Sequence, residues 1–177
     1  MKTCSLYGFI SALAGAVLAL VLYFLGFHSD PAKLSAAKWI GGLGGIAIAI
    51  ACTALGVKAR REEVPEAEGF GYGSALGAGM QVTLVSSILS SIFNYAYLVF
   101  INPGFTDVIL QDTMDKLQAK GMSGAQLEQA EKFSRFMMGP SIQSVSTLIG
   151  ILFVGFIISL IVAAFLKRPA PAGPPVI

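Results

Sequence analysis

Four long apolar stretches, separated by shorter polar segments, dominate the pattern of this chain. They cover residues 6–27, 39–57, 72–101 and 141–166. An α-helix rises about 1.5 Å per residue, so about 20 apolar residues cross the 30 Å hydrocarbon core of a bilayer. All of the 12 Lys and Arg and the 10 Asp and Glu residues lie outside these stretches, as expected where ionised side chains are costly. The pattern predicts an all-α, polytopic membrane protein with a bundle of four transmembrane helices.

The polar segment between the third and fourth stretches has helical periodicity. Thr106 or Asp107 can cap a first helix that stops at Gly121. Residues 123–126 form a sequence of the capping-box type before a second helix, whose apolar stripe consists of Leu127, Ala130, Phe133 and Met137. Pro140 suits the first turn of the fourth span, or a kink if the second helix and the fourth span join. We therefore expect an extracytoplasmic helical hairpin over about 105–139.

The apolar faces of this hairpin must be buried. They can pack on each other, on the rim of the bundle or on the lipid interface. Self-packing is the favoured interpretation, and binding of a partner protein is the alternative.

Small residues recur every four positions in each predicted span. Such residues allow the backbones of helices in lipid to approach closely. The seams are Ser11, Gly15 and Ala19 in the first span, Gly41, Gly45, Ala49 and Thr53 in the second, Gly73 and Gly77 in the third, and Gly155, Ser159 and Ala163 in the fourth. The seams predict a tightly packed bundle.

The third span also carries a polar stripe, formed by Thr83, Ser87, Ser90 and Asn94 on one helical face. The fourth span opens with further polar residues, including Gln143 and Thr147. The favoured interpretation is hydrogen bonding between helices, and the alternative is a hydrophilic path or small-ligand site. The candidate packing or polar-path residues are Gly41, Gly45, Gly73, Gly77, Thr83, Ser87, Ser90, Asn94, Tyr97, Asn102, Pro103, Gln143, Thr147, Gly155 and Ser159.

The composition supports a membrane protein and indicates few residues suited to catalysis or to metal binding. The chain is 55% hydrophobic and 12% charged, whereas soluble domains carry about 25% charged residues. The formal net charge of +2 is too small to indicate a nucleic-acid partner. The two cysteines form no metal-binding cluster with histidine, and the single histidine, His28, is expected to be a lone surface residue. We expect no catalytic residues, no cofactor and no metal site.

Orientation depends on where the basic residues lie. Lys and Arg divide six against six between the two sides, but all six on the side of the termini lie close to a span end. Basic residues close to the membrane favour the cytoplasm, so we expect both termini to be cytoplasmic.

Several short motifs occur in a familiar order. Tyr7-Gly8 opens the first span, Lys58 and Arg60 follow the second, and residues 71–75 lead into the third. Tyr97 and Asn102-Pro103 close the third span, and residues 155–161 precede Lys167-Arg168. In this order the chain resembles a bacterial membrane family catalogued as a domain of unknown function, number four-one-nine-nine. The resemblance implies a bacterial inner-membrane protein of four helices and brings no known activity.

The sequence therefore predicts a single membrane domain over residues 1–168 and a disordered, Pro-rich tail over 169–177. The expected function is a non-enzymatic packing or interaction role, as a scaffold or accessory protein. The alternative is a small transporter or channel component that uses the polar face of the third helix. Besides the lipid bilayer, the expected partner is a second copy of the chain or another membrane protein.

Overall fold

The computed structural model describes residues 2–169, and six α-helices account for most of them. The helices are α1 Lys2–Phe24, α2 Leu34–Glu62, α3 Tyr72–Ala96, α4 Phe105–Ala119, α5 Ala125–Met137 and α6 Pro140–Leu166. A π turn, Tyr97–Ile101, prolongs α3, and 3₁₀ turns occur at Pro31–Lys33 and Glu66–Glu68. Residues 2–169 include no β-strand, only an isolated bridge between Phe70 and Arg168.

Four of these helical segments are long and apolar enough to cross a membrane: α1, α2 with its preceding 3₁₀ turn, α3 with its π turn, and α6. The prediction of an all-α, polytopic membrane protein is therefore confirmed. A helical hairpin outside the membrane stays a prediction. The predicted disordered tail lies, apart from Pro169, outside the described residues.

Helix α2 extends beyond its apolar stretch at both ends. Helix α2 begins at Leu34 and ends at Glu62, so Lys38 lies in its second turn and Arg60 and Arg61 in its last. Basic side chains in the last turn complement the partial negative charge of the helix C-terminus. The charged end turns therefore suit the headgroup layers and the adjacent water.

Helices α4 and α5 begin differently from the prediction. Gly104 precedes α4 and Gly124 precedes α5, and neither helix has a side-chain capping bond. The capping box expected at residues 123–126 is therefore wrong, because the chain enters α5 through Gly124 at φ +58°, a left-handed conformation that favours glycine. Gly121, at φ +87°, follows α4 as expected, and Pro140 is the first residue of α6.

The chain divides into two compact units. Unit 1 contains the described residues within 1–14, 46–89 and 150–177, and unit 2 contains residues 15–45 and 90–149. The apolar core of unit 1 consists of Cys4, Val57, Phe70, Ala75, Ala78, Val82, Ile158, Val162 and Ala163. This core draws on α1, α2, α3 and α6, together with Phe70 just before α3.

Glycines allow the helices of unit 1 to approach closely around Val82. A Cβ atom added to Gly8 would lie 2.7 Å from the carbonyl oxygen of Val82, and one added to Gly56 would lie 2.7 Å from its Cγ2 atom. In unit 2, a Cβ atom added to Gly44 would lie 2.7 Å from the Cδ2 atom of Leu18. The atom that Gly8 meets is backbone, and the one that Gly56 meets belongs to a stiff β-branched side chain, so hydrogen at Cα is a packing requirement at these two positions. At Gly44 the flexible end of the Leu18 side chain can shift.

Replacing Gly8 by alanine should destabilise the protein by about 1–3 kcal/mol, because the added methyl group meets backbone that cannot move independently. The matched control is Gly15→Ala in the same helix, where nothing lies within 4 Å of the new Cβ atom. The control should be neutral or gain up to about 1 kcal/mol from helix propensity. Thermal unfolding in detergent measures both, and equal midpoints for the two variants would contradict the close α1–α3 contact.

Candidate functional site

Three polar side chains of α3 in unit 1 are at least half-buried and form hydrogen bonds. Ser86 Oγ donates to Ser11 Oγ at 3.2 Å, and Gln81 Nε2 donates to Ser5 Oγ at 3.1 Å. Ser87 is fully buried, and its hydroxyl donates to the carbonyl oxygen of Leu84 at 2.9 Å. Hydroxyl groups in lipid return to their own helix or reach the next one because no water is available.

Helices α3 and α6 meet through small residues in unit 1. A Cβ atom on Gly155 would overlap the side chain of Thr83, and one on Gly79 would lie 2.8 Å from Ser159 Oγ. Ser159 is fully buried and donates to the carbonyl oxygen of Gly155 at 2.7 Å. Three predicted candidates, Thr83, Gly155 and Ser159, therefore come together in one helix contact. Gly79 is a further contact residue, and it lies outside the predicted small-residue seam of the third span.

In unit 2 the polar residues of α3 face the start of α6. Ser91 Oγ donates to the carbonyl oxygen of Ser144 at 2.8 Å. Ser144 Oγ lies 2.7 Å from the carbonyl oxygen of Pro140 and 3.3 Å from Asn94 Oδ1. Since one hydroxyl proton serves both acceptors, the nearer carbonyl oxygen takes most of the bond. Asn94 is half-buried.

The remaining four candidate residues lie at the start of α6, in the polar stripe of α3 and in the turn before α4. Gln143 Nε2 donates to the carbonyl oxygen of Met138 at 3.0 Å. Ser90 and Thr147 are half-buried, and Pro103 is exposed in the turn before α4. These residues do not converge on one point.

Four candidate glycines have little or nothing of their own chain beside them. A Cβ atom on Gly45, Gly73 or Gly77 would have no heavy atom within 4 Å, and one on Gly41 would make only an ordinary contact with Leu22 at 3.6 Å. Gly73 and Gly77 are exposed. Some glycines of the predicted seams therefore pack closely against another helix of the chain, whereas these four do not.

A histidine–tyrosine pair forms the most specific polar contact in unit 2. Tyr97, in the π turn, places its hydroxyl oxygen 2.6 Å from His28 Nδ1 and 3.1 Å from Asn102 Nδ2. The His28 ring lies against Phe105, with ring centroids 4.6 Å apart, and Tyr23 meets Tyr97 edge to face. Both His28 and Tyr97 are at least nine-tenths buried.

Burial determines the preferred form of His28. It lowers the pKa of His28 from the ordinary value of 6.5, because an apolar environment disfavours the charged imidazolium. The Tyr97 oxygen accepts from Asn102 Nδ2, and its hydroxyl group can also donate to a neutral imidazole at His28 Nδ1.

The expectation that His28 is a lone surface residue is wrong. Tyr97 lies 69 residues later in the chain, so only the folded arrangement of α1, the π turn and α4 encloses the ring. Asp30, two residues from His28, accepts from the backbone N–H of Ala32 at 2.9 Å and pairs with Lys33 at 3.7 Å. Its carboxylate is therefore engaged in the 3₁₀ turn.

Unit 1 contains a partly open cavity of about 400 Å³. It is lined by Cys4, Arg60, Val64, Glu68, Gly69, Phe70, Ser74, Ala78 and Gln81. At its edge, Arg60 pairs with Glu63 at 2.7 Å, and Thr3 donates a hydrogen bond to the same carboxylate. The Thr3 hydroxyl, followed by Arg60, lowers the pKa of Glu63. Residues 2–169 contain no group of three His, Cys, Asp or Glu side chains that could hold a metal ion.

Acidification should destabilise the protein through His28. Because the folded pKa is lowered, the stabilising contribution is complete above the ordinary value of 6.5 and is lost as the pH falls below it towards the lowered folded value. Thermal unfolding in detergent at about pH 7.5 and about pH 5.5 isolates this step, because Asp and Glu titrate near pH 4.

The control for this prediction is His28→Asn, which retains a polar group beside Tyr97 and cannot gain a proton. Its midpoint should change less between the two pH values than that of the native chain. Equal pH dependence in both proteins would contradict the assignment.

The comparisons with known proteins agree with the resemblance stated above. A family model described as protein of unknown function (DUF4199) matches residues 6–168. No curated protein and no solved structure matches the chain. The match extends from the fifth residue of α1 to Arg168, which pairs with Phe70 in the isolated bridge. The chain therefore belongs to the family of proteins of unknown function DUF4199.

Proposed function

We propose that this chain is a non-enzymatic membrane protein of the accessory or scaffold kind, which acts through contacts with another membrane helix. The observation that carries the proposal is the bonding of the α3 polar face. Ser86 bonds to Ser11 of α1, and Ser91 bonds to the carbonyl oxygen of Ser144 in α6. Hydroxyl groups of α3 are therefore used for holding helices together. Interhelical bonds of this kind contribute about 0.6–2 kcal/mol each.

The exposed glycines of α3 support contact with another helix. Glycine in a helix costs about 1 kcal/mol relative to alanine, and Gly73 and Gly77 make no close contact within the chain. Leu84 lies seven residues after Gly77, which is two turns along the same helical face, and it is also exposed. The backbone of a neighbouring helix can therefore come close to this Gly73–Gly77–Leu84 face at the end that carries the glycines.

A photoreactive amino acid in place of Leu84 tests the proposal in native membranes. We expect a covalent adduct of defined mass, because a helix seated on the two glycines passes beside this position. The Gly77→Leu substitution should abolish the adduct, since it blocks close approach at a position where an added Cβ atom has no heavy atom of a neighbouring helix within 4 Å. An adduct of twice the 18.5 kDa chain mass would indicate a second copy, and another mass would indicate a different protein.

The matched control is the same photoreactive amino acid at Phe153 of α6, an apolar side chain that is 65% exposed. It should yield no discrete adduct, because a large apolar side chain that faces lipid provides no small-residue surface on which another helix could pack. If Leu84 also yields none, or if the adduct survives Gly77→Leu, the proposed contact face is wrong.

A small transporter or channel component is the alternative expected from the sequence. The polar face of α3 motivates it, but Ser87 is fully buried and bonds to its own helix, which weighs against a continuous hydrophilic path along that face. Solute flux into liposomes containing the purified chain would favour this alternative over a contact role.

We also propose that the protein resides in a bacterial inner membrane with both termini in the cytoplasm. The family resemblance supports the compartment, and the basic residues near the span ends support the orientation. Arg60 and Arg61 lie in the last turn of α2, and Arg168 follows the end of α6.

Cysteine labelling tests this orientation in intact cells. A cysteine at Ser123, between α4 and α5, should react with a membrane-impermeant maleimide. A cysteine at Glu66, an exposed residue between α2 and α3, should react only after permeabilisation. Cys4 and Cys52 are buried and are replaced by alanine to remove background. The opposite labelling pattern would reverse the orientation.

A further inference from the structure

Helix α5 has three distinct faces. Successive residues of an α-helix are rotated by about 100°, which places Leu127, Ala130 and Ser134 on one face, and all three are half-buried. The second face is charged and exposed, and its residues pair at i, i+4: Glu128 with Lys132, and Glu131 with Arg135.

The third face of α5 is apolar and has no cover. Phe133, Phe136 and Met137 lie within about 100° of arc on this face, and they are 66%, 68% and 43% exposed. Gln126 and Gln129 share the face nearer the N-terminus of the helix. The apolar part is therefore confined to the half of α5 that leads into α6. The predicted stripe was Leu127, Ala130, Phe133 and Met137, but only its first two residues are half-buried.

Helix α4, against which α5 packs, is held across the ends of the spans in unit 2. Its first residue, Phe105, contacts His28 and Tyr97. Seven residues later, about 10 Å along the helix, Asp112 pairs with Lys38 of α2 at 3.4 Å. Two contacts so far apart on α4 keep the helix beside the span ends and prevent it from projecting away from them.

Helix α5 is also tied closely to the start of α6. Only Met138 and Gly139 separate the two helices. Gly139 N donates to the carbonyl oxygen of Phe136 at 3.2 Å, and Gln143 Nε2 donates to that of Met138 at 3.0 Å. Phe136 can therefore lie at most about 14 Å from Pro140 along the chain.

The length of α6 places this junction at the membrane surface. Its 27 residues span about 40 Å, close to the 40–45 Å thickness of a bilayer with its headgroups. Pro140 then lies in the headgroup layer. In the same unit, Phe24, Trp39 and Phe100 are 80%, 69% and 77% exposed near the ends of the spans, where aromatic side chains commonly meet the interface.

We propose that the apolar face of α5, formed by Phe133, Phe136 and Met137, inserts into the headgroup layer of the bilayer beside the first turn of α6. The occupant of this face is lipid, because the contacts of α4 and the short junction hold it where the headgroups lie. The charged face then meets water, and the Leu127 face packs on α4. This inference concerns a different surface from the α3 contact face and does not depend on the proposed function.

Tryptophan fluorescence of the full chain in lipid vesicles tests the insertion. The chain has one tryptophan, Trp39, so the W39F variant provides a silent background. In this background, F136W places a probe on the apolar face and K132W places one on the charged face of the same helix. F133W is a second probe of the apolar face. Circular dichroism and gel filtration check that each variant is folded.

We expect F136W and F133W to emit at shorter wavelength than K132W. Lipids brominated near the headgroup end of the acyl chain should quench them several-fold more strongly than K132W, and aqueous iodide should do the reverse. Equal quenching of all three probes by iodide would overturn the proposal, because the face would then be in water. Shielding of F136W and F133W from both quenchers would also overturn it, because a protein partner would then cover the face.

Discussion

Close backbone approach at small residues is the constraint on which the rest of unit 1 depends. Lipid tails are as apolar as leucine, so burial of apolar surface contributes little to holding membrane helices together. Contact area at short range must supply the attraction instead. Gly8, Gly56 and Gly79 provide it by bringing α1 and α2 onto Val82 and α6 onto α3. Large side chains such as Phe153 can remain exposed because lipid, and not water, is their expected neighbour.

The same constraint explains the polar groups of the spans. Once backbones are close, a short hydroxyl side chain reaches either its own helix or the next one. Ser159 bonds back to Gly155, whereas Ser86 reaches Ser11 on α1. The Ser86–Ser11 bond and the packing of Gly8 on Val82 are therefore two consequences of one short distance between α1 and α3. Such bonds hold the helices of the chain together, and the proposed contact with another helix rests on the exposed glycines of α3.

Unit 2 is organised around a different combination of groups. The π turn at the end of α3 presents the Tyr97 hydroxyl to His28 and Asn102, and Phe105 covers the imidazole. This cluster attaches α4 to the ends of α1 and α3, and the Lys38–Asp112 pair adds an attachment to α2. Helix α5 follows α4, so the aromatic cluster indirectly positions the apolar face that we assign to lipid. A histidine whose pKa is lowered by burial gives this attachment a dependence on pH.

The sequence by itself determined the four apolar helices and the family, because length, apolar content and the exclusion of charge are properties of consecutive residues. It also determined that Gly121 follows α4 and that Pro140 begins α6, since both depend on local backbone preferences. The tertiary structure alone decided which glycines lie in a contact between helices. A Cβ atom added to Gly155 would overlap Thr83, whereas one added to Gly73 or Gly77 would have no heavy atom within 4 Å. The tertiary structure also buried His28 against a residue 69 positions away and turned Phe136 of α5 outward. Periodicity along one helix shows which residues share a face, but only the neighbouring helices determine what that face touches.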